Sequence, residues 1–168
     1  MIVFHRATAQ DIALLGQTRQ RAWDATYRGI YPDTQIDCFD YAAHRQRDER
    51  RIAEQTVFLM MDGDTCAGYF YYGAFPHGRY KDFTFCLNSL YILPPYQRRG
   101  LGGRVFAWMR EVCRVRGEEK FFCGCNCHNE KAQAFYLKMG GVVGCVDGGH
   151  DNKAEDQLYF EFYVGETK

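Results

Sequence analysis

The stretch "PPYQRRGLGGRVF", residues 94–106, decides the fold because it connects the end of a strand to the start of a helix. The preceding segment FTFCLNSLYIL has the composition of a strand, which the two prolines end because they lack backbone donors. Beyond the glycines, apolar residues recur at helical spacing from Leu101 to about Gly117. Glycines and arginines therefore lie at the N-terminus of a predicted helix, which favours an anion site.

A diphosphate is the anion that this stretch fits best. Unpaired amides at the helix start attract phosphate oxygens, glycines allow close approach, and Arg98 and Arg99 add charge-assisted hydrogen bonds. The stretch is neither a P-loop, which needs Lys-Ser/Thr after its last glycine, nor a dinucleotide fingerprint, which needs a further glycine at Val105. For the glycine cluster taken alone, a glycine-rich turn before a helix with two solvated arginines is the better interpretation.

Composition limits the remaining functions. The 168 residues predict one domain over residues 1–168, and 21 basic against 21 acidic residues give no net charge to attract nucleic acid. The N-terminus lacks the pattern of a signal peptide, and no segment approaches the length of a membrane span. We therefore expect a cytoplasmic protein with no membrane partner. The eight cysteines are expected to be reduced thiols.

The pattern along the chain predicts the order β α α β β β α β α β β, a mixed α/β class. Thr8, with Asp11 three residues on, is expected to cap the first helix, and Asp33 or Thr34 the second. Asp62-Gly63-Asp64 predicts a hairpin turn between two strands, and PHGRYKD predicts a loop.

Two segments resemble the GNAT superfamily of N-acetyltransferases. Residues 97–102, Gln-Arg-Arg-Gly-Leu-Gly, match its Q/R-x-x-G-x-G/A motif, and residues 90–94 resemble the strand that precedes the motif. Residues 129–141 resemble its N-x-x-A-x-x-F-Y-x-x-x-G-F segment, except that Gly141 replaces the closing Phe. The segment AWDATYRGIYP is similar to those often found between the first two helices of the family, and the likeness covers nearly the whole chain.

The resemblance implies a fold and an activity. The fold would be a central mixed, mostly antiparallel sheet of about seven strands flanked by about four helices, splayed at its middle. The activity would be N-acetylation, in which acetyl-CoA is the cofactor and its acetyl group moves directly to a primary amine. Homodimers that pair through terminal strands are common in such families.

The resemblance also assigns cofactor-binding residues. Strand backbone groups would bind the pantetheine arm as an added strand would, the loop would hold the pyrophosphate, and the head of the later helix would supply one hydrogen bond. These residues are Leu90, Tyr91 and Ile92 of the strand, Gln97, Arg98, Arg99, Gly100, Leu101, Gly102 and Gly103 of the loop, and Asn129.

Tyr136 is the residue that the resemblance makes the general acid. A phenol with an ordinary pKa of about 10 is protonated at neutral pH and can donate to a leaving thiolate. A backbone N–H near Tyr91 or Ile92 would stabilise charge on the carbonyl oxygen. Tyr136 lies about two helical turns from Asn129, so the two share one face of the helix.

The general base is not evident from the sequence. The positions at which many family members carry glutamate are here Cys86, Leu87 and Asn88 on the strand and Gly124 before the asparagine. A water relay to a more distant group would replace it, or the amine would have a lowered pKa; this argues against a ribosomal-protein N-terminus as substrate. The candidates for the distant group are Asp24, His77, Asp82 and His128.

Two other patterns carry weaker predictions. Cys123, Cys125, Cys127 and His128 resemble a metal box, but alternate strand residues form a line that cannot close around one zinc ion, so packed thiols are favoured. The aromatic run at residues 69–72 is favoured as core packing over base stacking.

Outward members of the aromatic run at residues 69–72 are expected to line an acceptor cleft together with Trp23 and Tyr27, and this cleft would suit a small-molecule amine. A non-catalytic CoA-binding module and, less favoured, a cysteine-ligated zinc module remain alternatives.

Overall fold

The computed structural model describes residues 1–54, 56–74 and 84–165. In this part of the chain, seven strands form one sheet in the order β1-β2-β3-β4-β5-β7-β6. The strands are β1 Val3–Arg6, β2 Val57–Asp62, β3 Thr65–Gly73, β4 Cys86–Ile92, β5 Lys120–Asn126, β6 Val142–Asp147 and β7 Gln157–Tyr163. β4 and β5 are parallel, whereas β1–β2, β2–β3, β5–β7 and β6–β7 are antiparallel. The prediction of a mixed, mostly antiparallel sheet is confirmed.

Within the described residues, five α-helices accompany the sheet, against about four expected. They are α1 Ile12–Tyr27, α2 Asp33–Asp37, α3 Tyr41–Ala53, α4 Leu101–Arg116 and α5 Glu130–Lys138. None of the helices in the described ranges is long and apolar enough to cross a membrane.

The extra helix arises because the predicted second helix is divided in two. The short helix α2 ends at Cys38, whose backbone (φ −90°, ψ 46°) is not helical. Asp40 then caps α3, its side chain accepting a hydrogen bond from the Ala43 N–H at 2.9 Å. The prediction of one helix capped by Asp33 or Thr34 was wrong because Asp40 supplies a second cap.

The predicted hairpin turn takes the expected form, whereas the Thr8–Asp11 capping box begins the 3₁₀ turn Ala9–Asp11 and not α1, which starts at Ile12. The Asp11 carboxylate accepts hydrogen bonds from both the N–H and the hydroxyl of Thr8, at 2.7 and 2.8 Å, at a short 3₁₀ turn before α1. Gly63, in the tight turn between β2 and β3, has a φ of 58° that favours glycine. The predicted loop PHGRYKD lies outside the described residues.

The chain divides into two compact units. The first comprises Met1–Tyr71 and Ser89–Leu101, with a core built on residues such as Leu15, Leu59 and Tyr69. In it, Arg19 of α1 forms a two-pronged ion pair with Asp48 of α3, and both side chains are almost fully buried. This pair joins α1 to α3 beneath the aromatic residues described below.

The second unit comprises Tyr72–Asn88 and Gly102–Lys168. The ring of Phe106 on α4 packs against Phe121 of β5, Phe162 of β7 and Tyr136 of α5. These contacts place both helices on the same face of the β5–β7 pair. The second unit therefore buries its helices on an aromatic core.

Candidate active site

The predicted anion loop has an unusual backbone. After a 3₁₀ turn at Pro94–Tyr96, Arg98 has a φ of 61° and Gly100 a φ of 78°, so two nearby residues adopt the left-handed conformation. Arg98 is the only non-glycine residue with positive φ in the described ranges. Such turns direct successive backbone N–H groups into a concave surface. Arg98 and Arg99 are both exposed, and the Arg99 guanidinium lies 5.3 Å from the centre of the Tyr96 ring.

The glycines of this segment have different surroundings. A Cβ atom added at Gly100 or Gly103 would meet no other atom within 4 Å, whereas one at Gly102 would lie 2.5 Å from Cζ of Phe135. Gly102 is therefore required by the packing of α4 against α5. Gly100 and Gly103, by contrast, have open space beside their backbone N–H groups.

The strand before the loop presents its backbone groups in alternation. The Leu93 N–H donates to the Ala67 carbonyl at 2.9 Å, and the Tyr91 carbonyl lies against Gly68, so both residues face β3. Because neighbouring residues of a strand direct their N–H and C=O groups to opposite edges, Leu90 and Ile92 direct theirs away from β3.

Gln97 stabilises the junction of strand and loop, since its side-chain amide donates to the Ile92 carbonyl at 2.8 Å. Two N–H groups, those of Tyr91 and Ile92, were predicted to stabilise charge on the carbonyl oxygen. The Tyr91 N–H lies on the same edge as the Tyr91 carbonyl, toward β3, so the geometry favours the Ile92 N–H.

The two residues predicted to bind the acceptor are brought together. The rings of Trp23 and Tyr27 meet edge to face with centroids 5.5 Å apart. Tyr27 also stacks on Tyr31, with centroids 4.3 Å apart and planes 5° from parallel. The hydroxyl oxygen of Tyr27 lies 2.8 Å from that of Tyr91, so one hydroxyl donates to the other. Burial raises the pKa of Tyr27 and of Tyr91, which keeps both phenols protonated.

Three carboxylates lie beside this aromatic group. Arg28, at the end of α1, forms ion pairs with Asp24, with Asp33 at 3.1 Å and with Asp37 at 2.8 Å. All four side chains are exposed, and one guanidinium against three carboxylates leaves the group negative. The sequence did not indicate this group, because its carboxylates come from two helices.

His44 extends the same aromatic group on the side of α3. Its ring stacks on Phe39 and meets Trp23 edge to face, with centroids 4.5 and 5.4 Å apart. Burial, with a smaller effect of the Arg19 charge, lowers the pKa of His44 to about 4. The ring is therefore neutral at pH 7.

In the second unit, Asn129 and Tyr136 lie at the start and on the buried face of α5. The Asn129 side-chain oxygen caps the helix by accepting from the Ala132 N–H at 3.1 Å, so its NH₂ group takes no part in the cap. Tyr136 is 6% exposed and packs among Phe106, Phe160 and Phe162. The Tyr136 hydroxyl contacts the buried thiol of Cys123. Cys123 thus lies beside the predicted general acid, a position that the sequence did not indicate, since there it was interpreted as a packed thiol or, less favoured, as part of a metal box.

The positions at which many family members carry the glutamate that acts as general base hold no carboxylate in this chain. Cys86 is buried, and burial raises the pKa of its thiol to about 12, while Asn88 donates to the Ala74 carbonyl at 3.4 Å. At Gly124, a Cβ atom would lie 2.8 Å from the Tyr159 ring of β7, which fills the place of a side chain.

Of the distant candidates for the base, Asp24 is paired with Arg28 and His128 with Asp156, at 3.1 Å. His77 and Asp82 lie outside the described residues.

Asp156 lies next to the cysteine-rich end of β5, a neighbour that the sequence did not indicate. The Asp156 carboxylate accepts from the backbone and ring of His150, at 3.0 and 2.9 Å, and also interacts with His128. These contacts, led by the His150 N–H, lower the pKa of Asp156 to about 2. All eight cysteines are free thiols, and the described residues contain no group of three or more His, Cys, Asp and Glu residues suited to a metal ion.

Comparison with known proteins identifies the family. The model of the acetyltransferase (GNAT) family matches residues 20–141, while no curated protein sequence matches the chain.

Among solved structures, PaiA N-acetyltransferase from Thermoplasma acidophilum, in complex with coenzyme A, is 18% identical with a TM-score of 0.79, over 97% of this chain and 99% of that chain. YncA from Salmonella typhimurium, with its cofactor acetyl-CoA, is 16% identical with a TM-score of 0.70, over 100% of this chain and 96% of that chain.

A third solved structure is ribosomal-protein-alanine N-acetyltransferase from Brucella melitensis. It is 21% identical with a TM-score of 0.71, over 96% of this chain and 99% of that chain. These likenesses confirm the fold, and the family match covers the loop, the strand before it and helix α5. The chain belongs to the GNAT family of acetyltransferases, which take their acetyl group from acetyl-CoA.

Proposed function

We propose that this acetyltransferase acts on the primary amine of a small molecule. The observation that carries the proposal is the group of aromatic rings formed by Trp23, Tyr27 and Tyr31. Its polar groups are the hydrogen-bonded hydroxyls of Tyr27 and Tyr91. Aromatic faces attract an ammonium ion, and hydroxyl oxygens can accept its N–H groups. The negative group around Arg28 favours a cation in the same region.

The loop residues fit the diphosphate of acetyl-CoA. Two exposed arginines and open space beside Gly100 and Gly103 suit an anion with several oxygens. Leu90 and Ile92 have backbone groups directed away from β3, as an added strand-like ligand requires. The Asn129 NH₂ group, not used in the helix cap, would donate one further hydrogen bond. When bound, acetyl-CoA supplies the thioester that carries the acetyl group.

The proposed roles in the chemical step rest on the family resemblance and on the local surroundings of each residue. The Ile92 N–H would donate to the carbonyl oxygen where negative charge develops. The Tyr136 hydroxyl, held among aromatic rings and beside Cys123, would supply a proton to the leaving sulfur. The amine would lose its proton to water, because no carboxylate occupies the four base positions of the family.

The experiment is a thiol-release assay with acetyl-CoA and an amine panel. The panel contains n-butylamine, benzylamine and putrescine, and peptides that begin with alanine. We expect release with the small amines and acetylated products by mass spectrometry. Turnover of the peptides alone would contradict the small-molecule substrate. Thermal stabilisation by coenzyme A without thiol release from any amine would contradict catalysis.

A homodimer is proposed through the edge strand β6. This strand ends the sheet, and Val142, Val143 and Val146 on it are 58, 49 and 62% exposed. Two copies could pair such edges antiparallel, which would cover the valines. Light scattering should then give twice the mass of the chain, and Val146→Lys should reduce it to a monomer. A wild-type mass equal to one chain would contradict the dimer.

A further inference from the structure

We propose that the side chain of Tyr91 is a positioning residue for the amine acceptor, which it serves by fixing the hydroxyl of Tyr27. This inference rests on the proposed function and extends it. Tyr91 was predicted from the sequence only as a backbone contact for the cofactor. The structure instead directs its backbone to β3 and its hydroxyl to Tyr27.

Tyr91 is anchored in the core of the first unit. Its ring stacks on that of Tyr69, with centroids 5.3 Å apart and planes 26° apart, and Tyr69 is 1% exposed. Tyr69 is held in turn by Arg19, whose Nε donates to the Tyr69 hydroxyl at 3.2 Å and whose charge lies over the ring. Asp48 neutralises Arg19 from the opposite side. The Tyr91 ring therefore has little freedom to move.

Tyr27 is held on two sides by different kinds of contact. Its ring is stacked on Tyr31, whose side chain also hydrogen-bonds to it, and its oxygen is 2.8 Å from that of Tyr91. Stacking fixes the plane of a phenol, and hydrogen bonds fix the direction of its hydroxyl. The bond with Tyr91 ties this hydroxyl to a residue anchored in the core, so the Tyr27 oxygen keeps a defined position toward the acceptor.

A purely structural role would not need the Tyr91 hydroxyl. Phenylalanine would stack on Tyr69 equally well, and burying a hydroxyl is unfavourable unless it forms a hydrogen bond. The residues on either side of Tyr91 on β4, Leu90 and Ile92, are those proposed to meet the thioester arm. One strand therefore carries the groups that would orient the acetyl donor and the group that orients the acceptor.

The test measures binding of benzylamine without requiring turnover. The chain has two tryptophans, so Trp108→Phe leaves Trp23, which contacts the Tyr27 ring, as the only indole reporter. In this background, we expect Tyr91→Phe to raise the dissociation constant of benzylamine about tenfold, the effect of losing one oriented hydrogen bond. Affinity for coenzyme A, measured by calorimetry, should change less than about twofold.

Tyr69→Phe is the matched control. It deletes a hydroxyl that bonds to Arg19 instead of Tyr27, while it keeps the ring that stacks on Tyr91 and the Arg19 charge over that ring, so Tyr91 stays anchored. We expect the benzylamine constant to change less than about twofold in this variant. Equal losses in Tyr69→Phe and Tyr91→Phe would reduce Tyr91 to a structural residue and overturn the inference.

A double-mutant cycle protects the test against poor folding of one variant. Tyr27→Phe removes the other hydroxyl of the pair, and the double variant should bind benzylamine no more weakly than the weaker single variant, since the two hydroxyls act as a unit. Additive losses would overturn the inference, as would a Trp23 signal that benzylamine does not change. Absence of thiol release with benzylamine binding intact would contradict the proposed function alone.

Discussion

The ring of Phe135 occupies the space that a side chain at Gly102 would need. A Cβ atom at position 102 would lie 2.5 Å from Cζ and 2.8 Å from Cε2 of that ring, closer than carbon atoms pack. The second glycine of the family motif is therefore fixed by contact between α4 and α5. Its presence does not by itself report on a ligand.

Gly102→Ala should destabilise the protein. The methyl group would force Phe135 from its position, and overpacking of this kind lowers the free energy of unfolding by about 1–3 kcal/mol. Urea denaturation measures the change. The double variant Gly102→Ala/Phe135→Leu, with a smaller side chain opposite the methyl group, should recover part of it; no recovery would mean that the contact is not the cause.

Gly103→Ala should have the opposite effect on stability. No atom lies within 4 Å of a Cβ at this position, and alanine is favoured over glycine in a helix by about 1 kcal/mol. Side chains lean toward the helix N-terminus, so the methyl group would crowd the proposed phosphate site. We expect a more stable protein that binds coenzyme A about tenfold more weakly by calorimetry, since one amide contact is lost. Unchanged affinity would separate Gly103 from the cofactor.

Arg98→Gly should separate backbone strain from charge. Arg98 has a φ of 61°, which costs an ordinary residue about 1–2 kcal/mol and glycine almost nothing. The variant should therefore gain about 1 kcal/mol of unfolding free energy, and lose about tenfold in coenzyme A affinity because a charge is removed. Arg98→Lys, which retains the charge and the strain, is the control.

The expected loss of affinity in Arg98→Gly should shrink at high salt, where charge interactions are screened. If Arg98→Gly bound coenzyme A as tightly as the wild type at low salt, the arginine would have no role in holding the diphosphate.

Local signals explain what the sequence predicted well. The strand, the prolines and the glycine-arginine loop before α4 are contiguous in the chain, so spacing alone places them at a helix N-terminus. The hairpin around Gly63 likewise depends on neighbouring residues. Tyr136 and Asn129 share one helix, which makes their common face a matter of periodicity.

Features that depend on distant parts of the chain were not predicted. Tyr27 and Tyr91 are 64 positions apart, and their hydrogen bond requires α1 to pack near β4. The same holds for Gly124 and Tyr159, which meet only because β5 and β7 pair in one register. The break between α2 and α3 was missed for a different reason: one helix was predicted from Asp33 or Thr34 onward, whereas α2 ends at Cys38 and Asp40 caps a separate helix.

Tyr136→Phe should reduce turnover far more than cofactor affinity. The proposed role of the hydroxyl is to supply a proton during the chemical step, and loss of a general acid lowers kcat by about 100-fold or more. Stopped-flow thiol release gives kcat, and calorimetry should give a coenzyme A affinity within about twofold of the wild type. Tyr163→Phe, which deletes a hydroxyl bonded to Glu161 elsewhere in the second unit, is the control and should retain full turnover. Equal turnover in the two variants would remove Tyr136 from the mechanism.

His44 should make the stability of the aromatic group depend on pH. Its pKa in the folded protein is about 4, below the ordinary value of about 6.5, because the ring is partly buried against Phe39 and Trp23. The unfolded chain therefore takes up this proton at a higher pH than the folded protein does. The stability that neutral His44 contributes is fully present above pH 6.5 and is lost as the pH falls toward 4.

Urea midpoints measured between pH 7 and pH 4 should show this loss, and His44→Phe should reduce it because phenylalanine preserves the stacking but cannot be protonated. Asp156 does not interfere in this window: its pKa is lowered to about 2, so its own contribution is lost below about pH 4. Asp156→Asn should accordingly leave the decline between pH 6.5 and 4 in place. If His44→Phe declined as steeply as the wild type over that range, the His44 ring would not be the group that titrates.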